Sequence, residues 1–265
     1  MRSFVSLASR PEFSVMAVSC RDDHRGWSEA ESRDDFRVVL VRRGRFRRMA
    51  TGTAADIDPT LAYIGLPGEE ERFAHPAGGD VCTSITLTPA LWQTITSDTA
   101  GITSGTLYVD GRVDLVHRRL LRAAEVGDID YALTEQLVKL ISGVRPKTTS
   151  AADRAVVAAA REAILEGHPA TQGLFPLAES LGVSPYRLSR AFTREMGVSL
   201  TRYRNRVRVA HALERLEGGE AHLGLLAADL GFADQAHLTR TLREHVGHTP
   251  TALQHLLGTA KAPRS

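Results

Sequence analysis

Cysteines, aromatic residues and long apolar segments are all scarce in this chain of 265 residues. With only two cysteines, it cannot build the disulfide framework of a small secreted domain. No segment approaches the length of about 20 apolar residues that spans a membrane, and the N-terminus lacks the apolar core of a signal peptide. We therefore expect a cytoplasmic protein without a membrane partner. Its hydrophobic (43%) and charged (24%) fractions are those of a globular protein long enough for two domains.

The chain also lacks the short motifs of several enzyme classes. It has no glycine-rich phosphate-binding loop, no nucleophile elbow and no His-Glu-x-x-His zinc motif. Too few carboxylates lie near His75 in the sequence for acid-base chemistry. These absences predict that the protein is not an enzyme. The alternative is a cupin-type metalloprotein or metalloenzyme with an appended helical domain, which substrate turnover by residues 1–145 would support.

The net charge of +2 conceals an uneven distribution. Residues 1–145 hold 18 Lys and Arg against 20 Asp and Glu, whereas residues 146–265 hold 15 against 11. A basic C-terminal half suits a nucleic-acid partner. Its lysines are Lys147 and Lys261 alone, and arginine favours bidentate contacts with phosphate and guanine, although a GC-rich genome produces the same bias.

The basic half contains one pattern twice. The copies run from Leu177 to Ser199 and from Leu226 to Thr249, offset by 49 residues before the turn and 50 after it. Each copy is typical of a helix, a tight turn and a second helix. Ser184-Pro185 and Asp234 provide N-terminal caps for the second helices. One supersecondary unit is therefore built twice.

The second helix of each copy has an apolar face and a polar face. Leu188 and Phe192 are predicted to lie inside the first copy, as are Leu238 and Leu242 in the second. A helix held in this way can present its polar face to a DNA major groove, where arginine bonds the guanine edge. The predicted DNA-facing residues are Tyr186, Arg187, Arg190 and Arg194 in the first copy and Gln235, His237, Thr239, Arg240 and Arg243 in the second. Helix pairs also occur in bundles that bind nothing, but the duplication favours DNA, because a suitable spacer sets two such helices about 34 Å apart on one side of a duplex.

Two phrases of the repeated pattern are specific: SPYRLSRAF at 184–192 and GFADQAHLTR at 231–240, with GHTP at 247–250 closing the second copy. On these phrases, residues 153–257 resemble the AraC/XylS transcription regulators. The resemblance implies two helix-turn-helix units that are joined by a long helix and bind adjacent major-groove segments. It implies that Tyr186, Arg187, Ser189 and Arg190 read the first segment and that Gln235, His237, Thr239 and Arg240 read the second. Leu242 departs from the usual aromatic residue, and Leu253-Gln254 from the usual Tyr-Arg, so we expect the second unit to pack or bind less firmly.

The N-terminal half favours short strands separated by Pro and Gly turns, which indicates a small β-barrel or sandwich. The predicted strands are Phe13–Cys20, Phe36–Met49 with a turn at Gly44, Leu61–Leu66, Val81–Leu87 and Thr106–Val109. Strand content and position resemble the cupin-like sensor domains of the same family, although the histidine motif of enzymatic cupins is absent. The run Arg42, Arg43, Arg45, Arg47 and Arg48 is predicted to lie on a solvated strand face, near Asp34, Asp35 and Asp56, rather than at a second DNA site.

Each cysteine lies near a histidine: Cys20 precedes His24, and His75 precedes Cys82. Two thiolates and two imidazoles are the ligand set of a tetrahedral zinc site, and both pairs occupy predicted strand ends that a barrel could bring together. The predicted metal ligands are therefore Cys20, His24, His75 and Cys82, with a structural or thiol-sensing role. The alternative is two buried cysteines and two surface histidines.

Helices complete the predicted α+β architecture. Beyond a short one at Ala90–Ser97, a pair at Val113–Val126 and Ile129–Val144 either forms a dimer interface, as the resemblance implies, or covers the barrel. The long joining helix, Leu200–Glu217, carries a polar face for phosphate contacts or surface ion pairs. That face consists of Arg202, Arg204, Arg206 and Arg208. The predicted domains are a cupin-like sensor and dimerisation domain (1–145), a linker (146–153), a DNA-binding domain (154–258) and a disordered tail (259–265).

These features predict a sequence-specific transcription regulator, an activator or a repressor, whose N-terminal domain responds to a small molecule or a metal ion. Its expected partners are double-stranded DNA, a second copy of the chain and, for an activator, RNA polymerase. A scaffold that binds nucleic acid without sequence preference is a further alternative. It differs in one expectation, because arginine substitutions would then weaken binding to all sequences equally.

Overall fold

The computed structural model describes residues 2–21, 24–96, 105–126, 136–137, 140 and 151–258. The chain divides into two compact units. One comprises Met1–Val109 and Val116–Lys147, and the other comprises Asp110–Leu115 and Thr148–Ser265. Antiparallel strands dominate the first unit and helices the second, so the predicted α+β class is confirmed. No helix among the described residues has the length and apolar character needed to span a membrane.

The strands of the first unit form two antiparallel sheets. The larger sheet has the order β1-β2-β8-β3-β6-β9, and the smaller has the order β5-β4-β7. The bounds are β1 Arg2–Ser9, β2 Phe13–Cys20, β3 Phe36–Arg43, β4 Phe46–Ala50, β5 Thr53–Ile57, β6 Leu61–Gly65, β7 Glu71–Ala74, β8 Asp80–Leu87 and β9 Gly105–Tyr108. The predicted strand Phe13–Cys20 has the predicted bounds, and Gly44 makes the predicted turn between β3 and β4 with φ +77°. Strands β1, β5 and β7 were not predicted.

Strand β8 shows how the larger sheet uses its two faces. Cys82 and Ser84 line a cavity of about 100 Å³, together with residues of the smaller sheet. Thr83, between them, lies on the opposite face, where its hydroxyl is 2.8 Å from Nε2 of His117 in helix α2 (Gly111–Glu125). Alternate side chains therefore serve the cavity and the helical cover. The apolar core beside the cavity consists of Val39, Val41, Phe46, Ile57, Tyr63, Phe73 and Cys82.

The prediction of a solvated arginine face is wrong for Arg48, which is 5% exposed. Its Nε lies 2.6 Å from Oε1 of Glu71, its Nη2 lies 2.7 Å from Oε2 of Glu69, and its guanidinium stacks over the Tyr63 ring. Arg37 donates to the other oxygen of Glu71 at 2.7 Å. Because these charges are paired and hydrogen-bonded, they are tolerated inside the unit. Arg47 follows the prediction, since it pairs with Asp56 at 3.6 Å on the half-exposed side of β4.

Helix α1 spans Pro89–Thr96, close to its predicted bounds. The helices of the second unit are α3 Ala151–Leu165, α4 Leu174–Ser180, α5 Pro185–Met196, α6 Leu200–Glu217, α7 Leu223–Asp229, α8 Gln235–Val246 and α9 Pro250–Leu257, with a 3₁₀ turn at Pro169–Gln172. Helix α6 has the predicted bounds, and α3 begins at Ala151, within the segment predicted as a linker. Most of the helix predicted at 129–144, linker residues 146–150 and the tail at 259–265 lie outside the described residues.

Candidate nucleic-acid interface

The first helix-turn-helix unit consists of helices α4 and α5. Gly182 turns the chain between them with φ +65°, a conformation that glycine adopts without steric cost. Ser184 then caps α5, because its Oγ accepts a hydrogen bond from the Arg187 amide at 3.2 Å. Leu188 and Phe192 of α5 are fully buried, so the inward face of the helix is fixed as predicted.

The opposite face of α5 is open to solvent. Tyr186 is 71% exposed, and Arg187, Arg190 and Arg194 are also exposed, whereas Ser189 is half-buried. The Arg190 guanidinium lies over the Tyr186 ring, with its carbon 5.5 Å from the ring centroid. This contact supports the arginine at the helix surface and leaves its edge free for a further hydrogen-bonding partner.

The second helix-turn-helix unit, which consists of α7 and α8, has the same arrangement with one change in the turn. Four residues separate α4 from α5, whereas five separate α7 from α8, which accounts for the offset of 50. Asp234 caps α8 by accepting from the His237 amide at 2.6 Å. Phe232, in the longer turn, is 5% exposed, and Leu242 is fully buried at the position where the resemblance implies an aromatic residue.

The predicted readers of α8 are not equivalent. Gln235, Arg240 and Arg243 are exposed, whereas His237 and Thr239 are half-buried. The His237 Nδ1 accepts a hydrogen bond from the Ala233 amide at 3.3 Å, and its ring meets Phe232 edge-on at 5.3 Å. A neutral His237 with this bond carries its proton on Nε2. It therefore fixes the turn and can only donate to a ligand.

Comparison with known proteins assigns this region. Residues 177–255 match the family described as "Helix-turn-helix domain". They form an AraC-type helix-turn-helix domain. The chain is similar to the HTH-type transcriptional regulator RipA of Corynebacterium glutamicum, with 32% identity over 120 residues. That match covers 45% of this chain and 35% of RipA, so the chain spans about a third of that relative's length.

Two solved structures are also similar to the chain. The C-terminal domain of AraT, a response regulator from Geobacillus stearothermophilus, has 27% identity over 38% of this chain and 84% of its own, with a TM-score of 0.35. ToxT from Vibrio cholerae O395 has 10% identity over 95% of this chain and 100% of its own, with a TM-score of 0.37.

In the AraC-type domain, helix α6 does not carry a uniform polar face. The prediction is wrong for Arg206, which is fully buried with its Nη2 3.1 Å from Oδ2 of Asp114. Arg204 donates to the carbonyl oxygens of Thr171 and Gln172 at 2.8 and 2.9 Å. Arg206 therefore attaches Asp114 to α6, and Arg204 attaches the 3₁₀ turn at Pro169–Gln172 to it, so both guanidinium groups are engaged before any ligand binds.

The outer arginines of α6 also have neighbours. Arg202 lies 3.5 Å from Glu244 and is half-exposed, which suits a surface ion pair. Arg208 lies over the Phe232 ring at 5.6 Å. Partial burial, and then the charge of Arg204, lower the pKa of Arg208 from its usual value.

The closing helix α9 of the AraC-type domain is anchored despite its departure from the family pattern. Leu253 is fully buried, and Gln254 donates through Nε2 to the Glu220 carbonyl oxygen at 2.8 Å. Thr249 caps the helix by accepting from the Ala252 amide at 3.2 Å. Leu253 and Gln254 therefore both hold α9 in place.

The sheet-rich unit brings the four predicted metal ligands into one region, where Cys20, His75 and Cys82 line the cavity. Cys20 and Cys82 are buried free thiols, His75 is 3% exposed, and the ring centroids of His24 and His75 are 4.9 Å apart. The alternative interpretation placed both histidines at the surface, and it is wrong for His75, which is buried. Burial, and then the charge of Asp80, raise the pKa of the Cys82 thiol well above its usual value, which favours its protonated form.

Asp80 is the residue that the sequence analysis missed. Its Oδ1 lies 3.0 Å from Nε2 of His75, and its Oδ2 accepts from the Cys82 thiol at 2.8 Å. The expectation of too few carboxylates near His75 did not take Asp80 into account. The register of β2 and β8 pairs Cys20 with Asp80, and the spacing of Asp80 and Cys82 on one strand puts both side chains on one face. That spacing of two was a signal available in the sequence.

Glycines at the sheet junction permit this close arrangement. A Cβ at Gly79 would collide with the carbonyl oxygen of Cys20, and a Cβ at Gly44 would collide with the carbonyl oxygen of Gly79. The turn after His75 is closed by the Gly78 amide, which donates to the His75 carbonyl oxygen at 3.3 Å. It carries the chain from β7 in the smaller sheet to β8 in the larger sheet, which brings His75 and Asp80 together.

Proposed function

We propose that the protein is a sequence-specific DNA-binding transcription regulator whose two helix-turn-helix units read adjacent major-groove segments. The observation that carries this proposal is the repeated exposed face of α5 and α8. Arg190 and Arg240 occupy the same place in the two copies, each exposed and each two residues after a fully buried leucine. A helical bundle without a nucleic-acid partner would not need an exposed arginine at the same position in both copies.

The joining helix supports simultaneous use of the two faces. Helix α6 has 18 residues, which correspond to a length of about 27 Å at about 1.5 Å per residue. One turn of B-DNA rises about 34 Å, so a spacer of this size suits two helices in successive turns of the major groove. The proposed base readers are Arg187, Arg190, Arg194, Gln235, Arg240 and Arg243, with Tyr186, Ser189, His237 and Thr239 supporting them or contacting the backbone.

The sheet-rich unit is proposed to be a sensor without enzymatic activity. Its cavity of about 100 Å³ is lined by both apolar and charged side chains, which supports binding of a small molecule or a metal ion. Binding there would change dimerisation or the DNA-binding half and so alter promoter occupancy. RNA polymerase would be a further partner of an activator.

Selection of duplexes from a random library by the full chain tests sequence-specific binding. Equilibrium binding to the selected duplex at one fixed salt concentration then tests the reading faces. We expect Arg190→Ala and Arg240→Ala each to lose about 1–3 kcal/mol of discrimination at their own base pairs, because each removes a bidentate contact. The two variants should affect different segments of the same site.

Arg215→Ala is the matched control. It removes an exposed arginine of the same domain whose guanidinium is already paired with Glu220 at 2.8 Å and Asp229 at 3.3 Å. We expect its selectivity to equal that of the unmodified protein. Equal loss of affinity for every sequence in both test variants would instead indicate a scaffold without sequence preference.

A further inference from the structure

We propose that Cys20, His75 and Asp80, which line the cavity of the sheet-rich unit, bind a divalent transition-metal ion, with Zn²⁺ the best match. One ligand atom from each residue lies within 4.8 Å of the other two, and all three side chains are buried. Sulfur, nitrogen and oxygen donors in this combination suit zinc. This ligand set differs from the Cys20, His24, His75 and Cys82 set that the sequence predicts.

The surroundings of two neighbouring ligand residues, His75 and Asp80, support the site. Nε2 of His75 and Oδ1 of Asp80 are 3.0 Å apart, yet Oδ1 has no hydrogen-bond partner among the described residues, and neither has Nδ1 of His75. Both side chains are only 3% exposed. A buried carboxylate oxygen without a hydrogen bond is costly, whereas a bound cation would satisfy it.

The distance is also compatible with shared coordination. With bonds of about 2.0–2.1 Å to a tetrahedral zinc ion, neighbouring nitrogen and oxygen ligands are separated by about 3.3 Å. The 3.0 Å between His75 and Asp80 needs only a small adjustment to reach this value. Cys20 is brought to the same place because its Cα pairs with that of Asp80 across β2 and β8.

Charge balance favours a divalent ion. The Cys20 thiolate and the Asp80 carboxylate would supply two negative charges and His75 a neutral imidazole. Arg2, a cation beside Cys20, is held by Glu31 with Nη1 3.1 Å from Oε1. Three protein ligands leave a fourth position on a tetrahedral ion, which His24 or a ligand in the cavity can occupy.

Cys82 is assigned a positioning role and not a ligand role. Its thiol donates to Oδ2 of Asp80 at 2.8 Å, which leaves Oδ1 directed toward His75. A hydrogen bond behind a metal-binding carboxylate fixes its orientation and tunes affinity. A serine at this position keeps the donor, so the Cys82→Ser variant separates the two roles.

Equilibrium dialysis of the full chain against Zn²⁺, followed by elemental analysis, tests the site without DNA. We expect close to one zinc ion per chain in the unmodified protein and in Cys82→Ser, with affinities within about tenfold of each other. Cys20→Ser and Asp80→Asn are expected to lose the stoichiometric ion. Circular dichroism establishes that each variant is folded.

Cobalt substitution gives a second measurement that needs no variant. Co²⁺ bound to the unmodified chain should show the near-ultraviolet charge-transfer band of a thiolate ligand, and Zn²⁺ should displace it. An unmodified chain that binds no stoichiometric zinc and shows no such band would overturn the site. Loss of the ion in Cys82→Ser, as complete as in Cys20→Ser, would overturn the ligand set.

Discussion

At the scale of single residues, the helical unit contains a buried ion pair, in which Nη2 of the fully buried Arg206 lies 3.1 Å from Oδ2 of Asp114. We expect Asp114→Ala to lower the free energy of unfolding by about 3–5 kcal/mol, because it leaves a buried guanidinium without this carboxylate. Denaturant unfolding, with hydrogen exchange in α6 to locate the effect, measures the change.

The matched control removes both charges. An Asp114→Leu and Arg206→Met double variant should recover most of the stability lost by Asp114→Ala, since apolar side chains of similar size replace the pair. If Asp114→Ala were as stable as the unmodified chain, the buried pair would not contribute to the fold.

His245 gives the same unit a pH dependence. The side chain is 6% exposed, and its burial, followed by the charge of Arg202, lowers its pKa below the usual value of 6.5. The unfolded chain therefore binds this proton more tightly, and the stability present above about pH 6.5 falls as the pH drops toward the folded pKa. Melting temperatures over this range should decline less steeply for His245→Gln; parallel curves would exclude the effect.

At the scale of secondary-structure elements, each proposed reading helix depends on its cap. Ser184→Ala should destabilise α5 and Asp234→Ala should destabilise α8, each by about 0.5–2 kcal/mol, because an N-terminal amide loses its acceptor. Hydrogen exchange measures both helices separately. Ser184→Asp and Asp234→Ser keep an acceptor and serve as controls, and exchange that is equally fast in the alanine and control variants would contradict the capping role.

Elements with strong local signals were predictable from the sequence. Helix α6 and strand β2 have the predicted bounds, because apolar periodicity and terminal residues agree there. Strand β7 was not predicted, since Glu71 and Arg72 are typical of a loop when read alone. The strand forms where Glu71 is buried and accepts hydrogen bonds from Arg37 and Arg48, which are 34 and 23 residues away in the sequence.

The candidate sites likewise combine residues that the sequence predicts with residues that depend on contacts distant in the sequence. The exposed arginines of α5 and α8 followed from helical spacing, whereas the burial of Arg206 depends on Asp114 in a distant helix. The cysteine and histidine pairs converge as the strand-end argument predicted. Asp80 entered the cluster through the pairing of β2 with β8, a register that the sequence did not specify.

At the scale of the whole molecule, residues 1–145 hold 18 Lys and Arg against 20 Asp and Glu and residues 146–265 hold 15 against 11, and the repeated face that we propose to read DNA lies in the basic half. Non-specific binding should therefore weaken as salt rises, because phosphate contacts release counterions. Specificity should depend instead on the base-reading side chains of α5 and α8. The two effects are separable when affinities for selected and unrelated duplexes are compared at several salt concentrations.

Methylation interference on a selected duplex tests the central claim most directly, since it reports which guanine edges the bound protein requires. The account predicts two interfering segments on one side of the duplex, about 10–10.5 base pairs apart. Arg190→Ala should remove interference at the guanine that it contacts in one segment, and Arg240→Ala at the guanine that it contacts in the other. A single segment, or two segments that both variants weaken equally, would contradict the claim that the two helix-turn-helix units read adjacent stretches of one site.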